Sequence, residues 1–572
     1  MHGRIKVRTT AEQEAIKKVE RAKKVIQYKA AINLVFQKRK DKIYDDEMLM
    51  VTAEMVLQNP DINTIWNIRR EAFEKNNWTS EEYEERLNKE LRLTENCLRE
   101  NPKSYGVWHH RCWIIDHLSK PDWKTELSLC AKFLNFDERN FHGWDYRQHL
   151  VKKAGISDEE EFEFSTAKIV KNFSNYSSWH YRSKILSKMF PDKSGKLPIN
   201  PEKHKEELDL VMNATFTDPT DSSAWFYQRW LLDYNKSSSN ALWLAKVTKN
   251  KIIIIFHDNT KIKADSITLV RKCVKQDGSI VENDMNSNVN WYSYNNKDLS
   301  RVWIAQSTTF LDDESDVENN EISSETMYIK FGNEIYDLHK SKESNSWYYK
   351  SINLPVEKHN DDQLKEQMDN YKQLVEMEPN NKWAILTGIF LMKNYDSVKY
   401  HEKILQDLSA LIKIDSLRAN YYADIRSKYI IDNKLLTFWQ EENNFEMNSV
   451  IDLSNLELTN LYNEHFFSIF EQINLSGNQL NRSLHRLVAL QNCKKLLLSN
   501  NKLKNLKNFP ILPNLEYLSL RYNELTNIEE ILNLLKHHNI ITLDLRDNPL
   551  WNTTLVPQQI LNIYPNLEIQ MD

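Results

Sequence analysis

The chain has 572 residues, which is too long for one hydrophobic core and predicts three or four domains. Its formal net charge of −5 argues against a nucleic-acid-binding protein, which would carry a concentrated basic face. No apolar run approaches the roughly 18 residues that span a bilayer, so no membrane insertion is expected. The five cysteines are scattered and odd in number, which predicts reduced thiols in the cytoplasm and no structural zinc site.

Residues 1–241 are predicted to be helical, and the same character resumes at 353–447, because apolar residues recur there at spacings of three and four. A motif repeats in this region: an acidic residue or Asn, often followed by Pro, precedes Trp-x-x-Arg. Trp and Arg at this spacing share a helix face, and a preceding helix completes a hairpin, so each copy predicts one unit of an α-α superhelix with Trp in its core. The copies pair Trp66 with Arg69, Trp108 with Arg111, Trp144 with Arg147, Trp179 with Arg182 and Phe226 with Arg229.

Residues 242–352 change character and are predicted to be a β-sandwich inserted in the helical domain. Short apolar runs such as Ile252 to Ile255 alternate with turn signals such as Asp277-Gly278. The strand count favours an immunoglobulin-like sandwich, although no Cys–Trp–Cys spacing accompanies it.

Residues 448–572 repeat the pattern L-x-L-x-x-N-x-L and are predicted to be a leucine-rich-repeat domain, an α/β solenoid. The asparagine of the pattern falls at Asn478, Asn501, Asn523 and Asn548, and Leu456 occupies this position in the first copy. We expect the leucines to stack into a continuous core and each asparagine to bond the backbone of its turn. The predicted fold is therefore mainly α, with an inserted sandwich and a C-terminal solenoid.

The Trp-x-x-Arg hairpins resemble the repeats of protein prenyltransferase α subunits. Residues 1–4, residues 101–113 and the order of the three domains are similar to the α subunits of Rab geranylgeranyltransferases, also called protein geranylgeranyltransferases type II. The α subunits shared by farnesyltransferase and the type I geranylgeranyltransferase look similar only in the helical part. The resemblance covers nearly the whole chain.

The resemblance implies a subunit that is inactive without its β subunit, an obligate partner. Together the two would transfer geranylgeranyl from geranylgeranyl diphosphate to C-terminal cysteines of Rab GTPases, which an escort protein presents. It also implies that the β subunit holds the Zn²⁺ cofactor, so this chain would hold no metal.

Two residues of this chain match family positions near the reaction. Lys103 matches a lysine that reaches the isoprenoid diphosphate, and His142 matches a histidine near the same phosphates. Both precede their Trp in neighbouring repeats, so we expect them at one edge of the superhelix, at helix starts that favour anions. The alternatives are a solvated lysine and a packed histidine. His2 is a candidate to reach the partner's zinc, and the alternative is a disordered terminus.

Two other functions fit parts of the sequence. A non-enzymatic interaction scaffold is one, because solenoids and leucine-rich repeats are common binding surfaces. The α subunit shared by farnesyltransferase and the type I enzyme is the other, and the leucine-rich repeats argue against it.

Overall fold

Helical hairpins form the first unit of the chain, and strands with further helices form the second. The computed structural model describes residues 11–193, 197–232, 242–263, 266–285, 290–307, 322–341, 346–351, 362–440, 449–552 and 556–570. The first unit comprises Met1–Lys193, Pro198–Thr215 and Asp221–Gln228, and the second comprises Ser194–Leu197, Phe216–Thr220 and Arg229–Asp572. The prediction of a mainly helical chain with a separate β-rich region is confirmed.

Consecutive helices follow one another from residue 11 to residue 232. They are α1 (Ala11–Lys40), α2 (Asp46–Gln58), α3 (Asn63–Lys75), α4 (Ser80–Glu100), α5 (Tyr105–His117), α6 (Trp123–Phe136), α7 (Phe141–Ala154), α8 (Asp158–Lys171), α9 (Tyr176–Met189), α10 (Pro201–Thr217) and α11 (Ser222–Leu232). Polar side chains fix several starts: Thr79 and Glu82 form a capping box before α4, and Ser157 caps α8. The end of α7 is set by Gly155, which takes a left-handed φ of 68°.

Each tryptophan of the motif fixes the turn that precedes its own helix. The indole Nε1–H donates to the carbonyl oxygen of the residue six positions earlier, which satisfies a polar group inside the core. The bonds run from Trp66 to Pro60 (2.8 Å), Trp108 to Pro102 (2.8 Å), Trp144 to Glu138 (2.9 Å) and Trp179 to Phe173 (2.8 Å). The indole therefore joins the turn to the core, which explains why turn residues precede each Trp at a constant distance.

The fifth copy of the motif is out of register with the sequence assignment, which placed Phe226 and Arg229 in the repeat. Trp225 is 2% exposed and Phe226 is 42% exposed, so Trp225 takes the tryptophan position. The arginine position, three residues later, belongs to the buried Gln228. The sequence favoured Phe226 because Arg229 follows it by three residues, as in the other copies. In the structure, α11 directs Trp225 into the core instead, so the assignment of Phe226 and Arg229 was wrong.

The replacement of Gly106 tests how closely the hairpins pack. A Cβ at Gly106 in α5 would lie 2.7 Å from Asn63 Oδ1 and 2.8 Å from Cδ1 of the fully buried Trp66. We expect Gly106→Ala to lower the free energy of unfolding by about 1–3 kcal/mol, because the core must shift. Gly388, a helical glycine with no atom within 4 Å of its Cβ position, is the matched control. Gly388→Ala should stabilise the chain by up to about 1 kcal/mol. Urea unfolding of both full-length variants measures the difference, and equal behaviour would contradict the close packing.

The strands from residue 242 to residue 350 form one continuous antiparallel sheet, the β strip. They are β1 (Leu242–Val247), β2 (Lys251–Thr260), β3 (Ile267–Lys275), β4 (Ile280–Asp284), β5 (Asn290–Ser293), β6 (Ser300–Gln306), β7 (Ile322–Phe331), β8 (Glu334–Lys340) and β9 (Trp347–Lys350). Their order across the sheet is β4-β3-β7-β8-β9-β1-β2-β6-β5. The strip curls on itself, because the rings of Phe256 in β2 and Phe331 in β7 lie 5.0 Å apart although three strands, β8, β9 and β1, separate β2 and β7 in that order.

Helices return after the β strip and lead into a parallel array of short strands. The helices are α12 (Asp362–Met377), α13 (Lys382–Asp396), α14 (His401–Ile414) and α15 (Ala419–Gln440). The strands of this C-terminal array are β10 (Val450–Asp452), β11 (Gln472–Asn474), β12 (Lys495–Leu497), β13 (Tyr517–Ser519), β14 (Thr542–Asp544) and β15 (Glu568–Gln570). They pair in chain order, with α16 (Ile528–Lys536) and α17 (Val556–Ile563) between the later ones.

Buried asparagines connect the turns of the C-terminal array. The side-chain amides of Asn478, Asn501, Asn523 and Asn548 donate to the backbone of the preceding turn at 2.8–3.0 Å. In return, backbone N–H groups of that turn donate to the asparagine oxygens, as Leu458 does to Asn478 at 2.9 Å. Each asparagine thus satisfies backbone groups that the curved chain leaves unpaired.

The β strip and the C-terminal array share one hydrophobic core. Leu244, Ile253 and Ile304 of the strip belong to the same buried cluster as the leucines of the array. The rings of Trp243 and Phe466 lie 4.1 Å apart across this boundary. The two regions are distant in sequence, yet neither buries its apolar face alone.

Across the described residues, no helix has both the length and the apolar character needed to cross a membrane.

Candidate functional site

The structure brings Lys103 and His142 together at neighbouring helix starts. Lys103 lies just before α5, and His142 lies in the first turn of α7. The imidazole of His142 makes a hydrogen bond with the backbone of Lys103, and its ring packs edge-on against Tyr105 with 4.3 Å between centroids. The two residues that resemblance selected therefore share one small surface.

The ammonium of Lys103 is available for an anion. Its side chain is 64% exposed, and Nζ lies 3.1 Å from Oδ2 of Asp137. An exposed ion pair of this kind contributes little stability, so a phosphate can replace the carboxylate at low cost. The N-cap of α5, Ser104, makes no side-chain capping bond, which leaves the first backbone N–H groups of α5 without that partner.

The imidazole of His142 supplies a second polar group at the same place. Burial lowers the pKa of His142, so the ring is neutral near pH 7. Its Nε2 is buried and has no hydrogen-bond partner among the described residues. A buried nitrogen left unpaired is costly, which makes this atom a candidate contact for a ligand or a partner chain.

Exposed apolar side chains follow the turns of the hairpins, and we call this row the turn edge. Aromatic residues occupy the first turns of α5, α7 and α9 and the second turn of α11, and apolar residues occupy the last turns of α2, α6 and α8. The members are Tyr105, Phe141, Tyr176, Phe226, Leu57, Phe136 and Val170. Neighbouring rings touch along the row, with centroids 5.8 Å apart for Tyr105 and Phe141 and 6.1 Å apart for Tyr176 and Phe226. Exposed apolar side chains gathered along one set of turns in this way are typical of a protein interface.

The arginines of the motif are buried and each binds a glutamate of the next helix. Arg111 donates to both carboxylate oxygens of Glu126 at 2.9 and 2.6 Å, and the hydroxyl of Tyr146 donates to the same carboxylate at 2.6 Å. The same arrangement recurs with Arg147, Glu161 and Tyr181, and with Arg182, Glu207 and Tyr227. Each set joins three consecutive helices, so these residues hold the stack together.

The first set uses a histidine in place of the tyrosine. Arg69 binds Glu90, and Nε2 of His110 lies 2.9 Å from the same carboxylate. Burial alone would raise the pKa of Glu90, but Arg69 and His110 lower it to about 2. Burial lowers the pKa of His110. The carboxylate therefore stays ionised, and this histidine has a structural partner.

The sequence reasoning missed these glutamates and tyrosines. The tyrosines carried a signal, since Tyr146 and Tyr181 each stand one residue before a motif arginine, and Tyr227 stands one residue before Gln228, which takes the arginine position. The glutamates carried none: the separations between Arg69, Arg111, Arg147 or Arg182 and the glutamate are 21, 15, 14 and 25 residues.

No group of three or more His, Cys, Asp or Glu side chains in the described ranges is placed to hold a metal ion. The residues described here thus offer no set that fits zinc. His2 lies outside the described residues.

Comparisons with known proteins agree with the helical Trp-x-x-Arg repeat. A family model described as the protein prenyltransferase alpha subunit repeat matches residues 87–118, 123–154, 158–189 and 204–235. A human protein named geranylgeranyl transferase type-2 subunit alpha is 33% identical over 582 residues, which cover 99% of each chain. A Saccharomyces cerevisiae protein of the same name is 39% identical over 240 residues, 41% of this chain and 72% of that one. A solved structure titled Candida albicans protein geranylgeranyltransferase-I complexed with GGPP covers 69% of this chain and 88% of that chain, with a TM-score of 0.38 and 16% identity.

Proposed function

The chain belongs to the family of geranylgeranyl transferase type-2 α subunits, and on this premise we propose how it works. It forms an obligate heterodimer with a β subunit. The heterodimer transfers geranylgeranyl from geranylgeranyl diphosphate to C-terminal cysteines of Rab GTPases, which an escort protein presents. The chain supplies the scaffold and part of the diphosphate site.

The turn edge is the observation that supports the heterodimer. Its aromatic and aliphatic side chains are exposed at the starts and ends of successive helices, where several hairpins present them side by side. Phe136, for example, is 91% exposed. Stable heterodimers of this kind bury more than about 2,000 Å², with aromatic residues enriched at the centre of the interface. The turn edge runs along several hairpins, as the large interface of such a heterodimer requires.

Charged substitutions on the turn edge test this surface. Phe136→Asp combined with Val170→Asp should weaken binding to the β subunit at least tenfold, because two carboxylates would lose water at the interface. Both side chains are exposed, so the free chain should unfold as before. The matched control is Ile511→Asp, an exposed apolar residue of the C-terminal array. Co-purification and titration of the β subunit measure the effect, and unchanged affinity in the double variant would remove the turn edge from the interface.

The diphosphate contact involves Lys103 and His142. Their adjacency, the exposed ammonium and the unpartnered Nε2 of His142 support this assignment. Lys103 offsets negative charge on the phosphate oxygens as the bond to the isoprenoid breaks. The imidazole of His142 already bonds the backbone of Lys103, so its Nε2 carries a proton for a phosphate oxygen only when the ring is charged. Because burial lowers the pKa of His142 and disfavours that form, its contribution is the smaller one.

Zinc belongs to the β subunit in this proposal. When bound there, it makes a thiolate nucleophile accessible at neutral pH by lowering the pKa of the substrate thiol. The part of this chain that the structure describes contributes helix starts, one lysine and one histidine around the diphosphate. In the same proposal, His2 extends to that zinc.

We also propose the finer identity of the domains. Residues 1–241 and 353–447 form the superhelix, 242–352 an immunoglobulin-like β-sandwich, and 448–572 a leucine-rich-repeat domain. The curl of the β strip and the asparagine bonds of the array support these assignments. The five cysteines have free thiols, which supports a cytoplasmic location.

A further inference from the structure

Three lysines meet where the β strip packs against the C-terminal array, and we call this place the lysine junction. Lys246 in β1 pairs with Ile253 in β2, and Lys251 lies two positions before that isoleucine, on the same face of the strip. Ile253 belongs to the core shared with the array, so both lysines face the array. Nζ of Lys251 lies 3.3 Å from Oδ1 of Asn492 in the array, and Lys494 follows Asn492 by two residues.

The lysine junction contains more positive than negative charge. Glu471 is the carboxylate that acts on both Lys246 and Lys251, and it already pairs with Lys494 at 3.0 Å. Burial lowers the pKa of Lys246 and of Lys251, and Lys494 lowers both further. Lys246 has no hydrogen-bond partner among the described residues. Lys246 and Lys251 thus lie half-buried beside the half-exposed Lys494, and the three ammonium groups share one carboxylate.

We propose that the lysine junction binds a phosphate-bearing anion, either free phosphate or the phosphate of a lipid headgroup. Charges withdrawn from water are costly unless they are paired, and Glu471 can neutralise only one of the three lysines. A phosphate dianion matches the remaining excess of two charges, and its oxygens accept charge-assisted hydrogen bonds from Lys246 and Lys251. The inference does not depend on the transferase function, because the lysine junction is built only from the β strip and the array.

Calorimetric titration of the full chain with inorganic phosphate, at constant ionic strength, tests the proposal. Wild type should bind saturably, and K246Q/K251Q should bind at least tenfold more weakly. The matched control is K261Q/K263Q, which removes the same charge from two exposed lysines of the β strip and should bind as wild type does. Absence of saturable binding to wild type, or equal binding by K246Q/K251Q, would overturn the proposal.

Amine acetylation followed by mass spectrometry provides a measurement without substitutions. Phosphate should slow the modification of Lys246 and Lys251 in the wild-type chain, but not that of Lys261. Equal rates with and without phosphate would count against the site even if the double variant unfolds.

Vesicles distinguish the two sources of the phosphate. Sedimentation with vesicles of phosphatidylcholine containing phosphatidylinositol 4-phosphate, displaced by inorganic phosphate and lost in K246Q/K251Q, would assign a lipid headgroup. Phosphate binding without sedimentation would assign free phosphate. Sedimentation that K246Q/K251Q retains, in the absence of phosphate binding, would overturn the proposal.

Discussion

Glu126→Ala should lower the free energy of unfolding of the helical unit by about 3–5 kcal/mol, because it leaves a buried guanidinium without its carboxylate. Arg111 is 2% exposed and donates two hydrogen bonds to Glu126. The hydroxyl of Tyr146, also buried, loses its acceptor as well. Urea unfolding of the full chain measures the loss. Hydrogen exchange in α5 and α7 assigns the loss to the helical unit.

The matched control is Glu85→Ala in α4. Glu85 is exposed and pairs with Lys89 one helical turn away, so its removal should leave the free energy of unfolding unchanged. Replacing Arg111 by Met in the Glu126→Ala background should recover part of the loss, because no buried charge then remains unpaired. A loss below about 1 kcal/mol for Glu126→Ala would show that the buried sets do not hold the hairpins together.

Lys103→Ala should reduce the single-turnover rate of the heterodimer by about 10²–10³-fold, with a smaller effect on lipid diphosphate affinity. Negative charge grows on the phosphate oxygens as the bond breaks, so an ammonium there stabilises the transition state more than the ground state. His142→Ala should act in the same direction but more weakly. The measurement is the rate of geranylgeranyl transfer with enzyme in excess, beside the affinity for geranylgeranyl diphosphate.

Lys120→Ala is the control for the lysine variant. Lys120 is an exposed lysine just beyond the opposite end of α5, so it carries the same charge away from the turn edge. It should leave both the rate and the affinity unchanged. If Lys103→Ala also leaves the single-turnover rate unchanged in an intact heterodimer, then Lys103 is a surface lysine and has no role at the diphosphate.

The helical hairpins were predictable because each residue of the motif has a local role. Trp66 and Trp108 bond the turn six residues earlier, and that constant spacing is visible in the sequence. The register of the fifth copy was not predictable, because Trp225 and Phe226 are adjacent aromatic residues and only packing decides which one faces inward. The partner of Arg111 was also hidden, because the helix that carries Glu126 begins after a linker of variable length.

A pattern in the sequence indicates that the β strip shares a core with another element, and this pattern was overlooked. Residues 252–256 are apolar without alternation, and a strand of this kind is buried on both faces. Ile252 and Ile254 pack inside the strip, whereas Ile253 and Ile255 pack against the array. Which element covers the second face depends on contacts between residues about 200 positions apart, and no local pattern specifies them.

The measurement closest to the central claim is geranylgeranyl transfer by each subunit alone and by the reconstituted pair. The acceptor is a Rab GTPase presented by its escort protein, and labelled geranylgeranyl diphosphate is the donor. The account predicts a stoichiometric complex of the chain with the β subunit, and transfer only by that complex. Transfer by this chain alone, or a correctly folded chain that forms no complex with the β subunit, would contradict it.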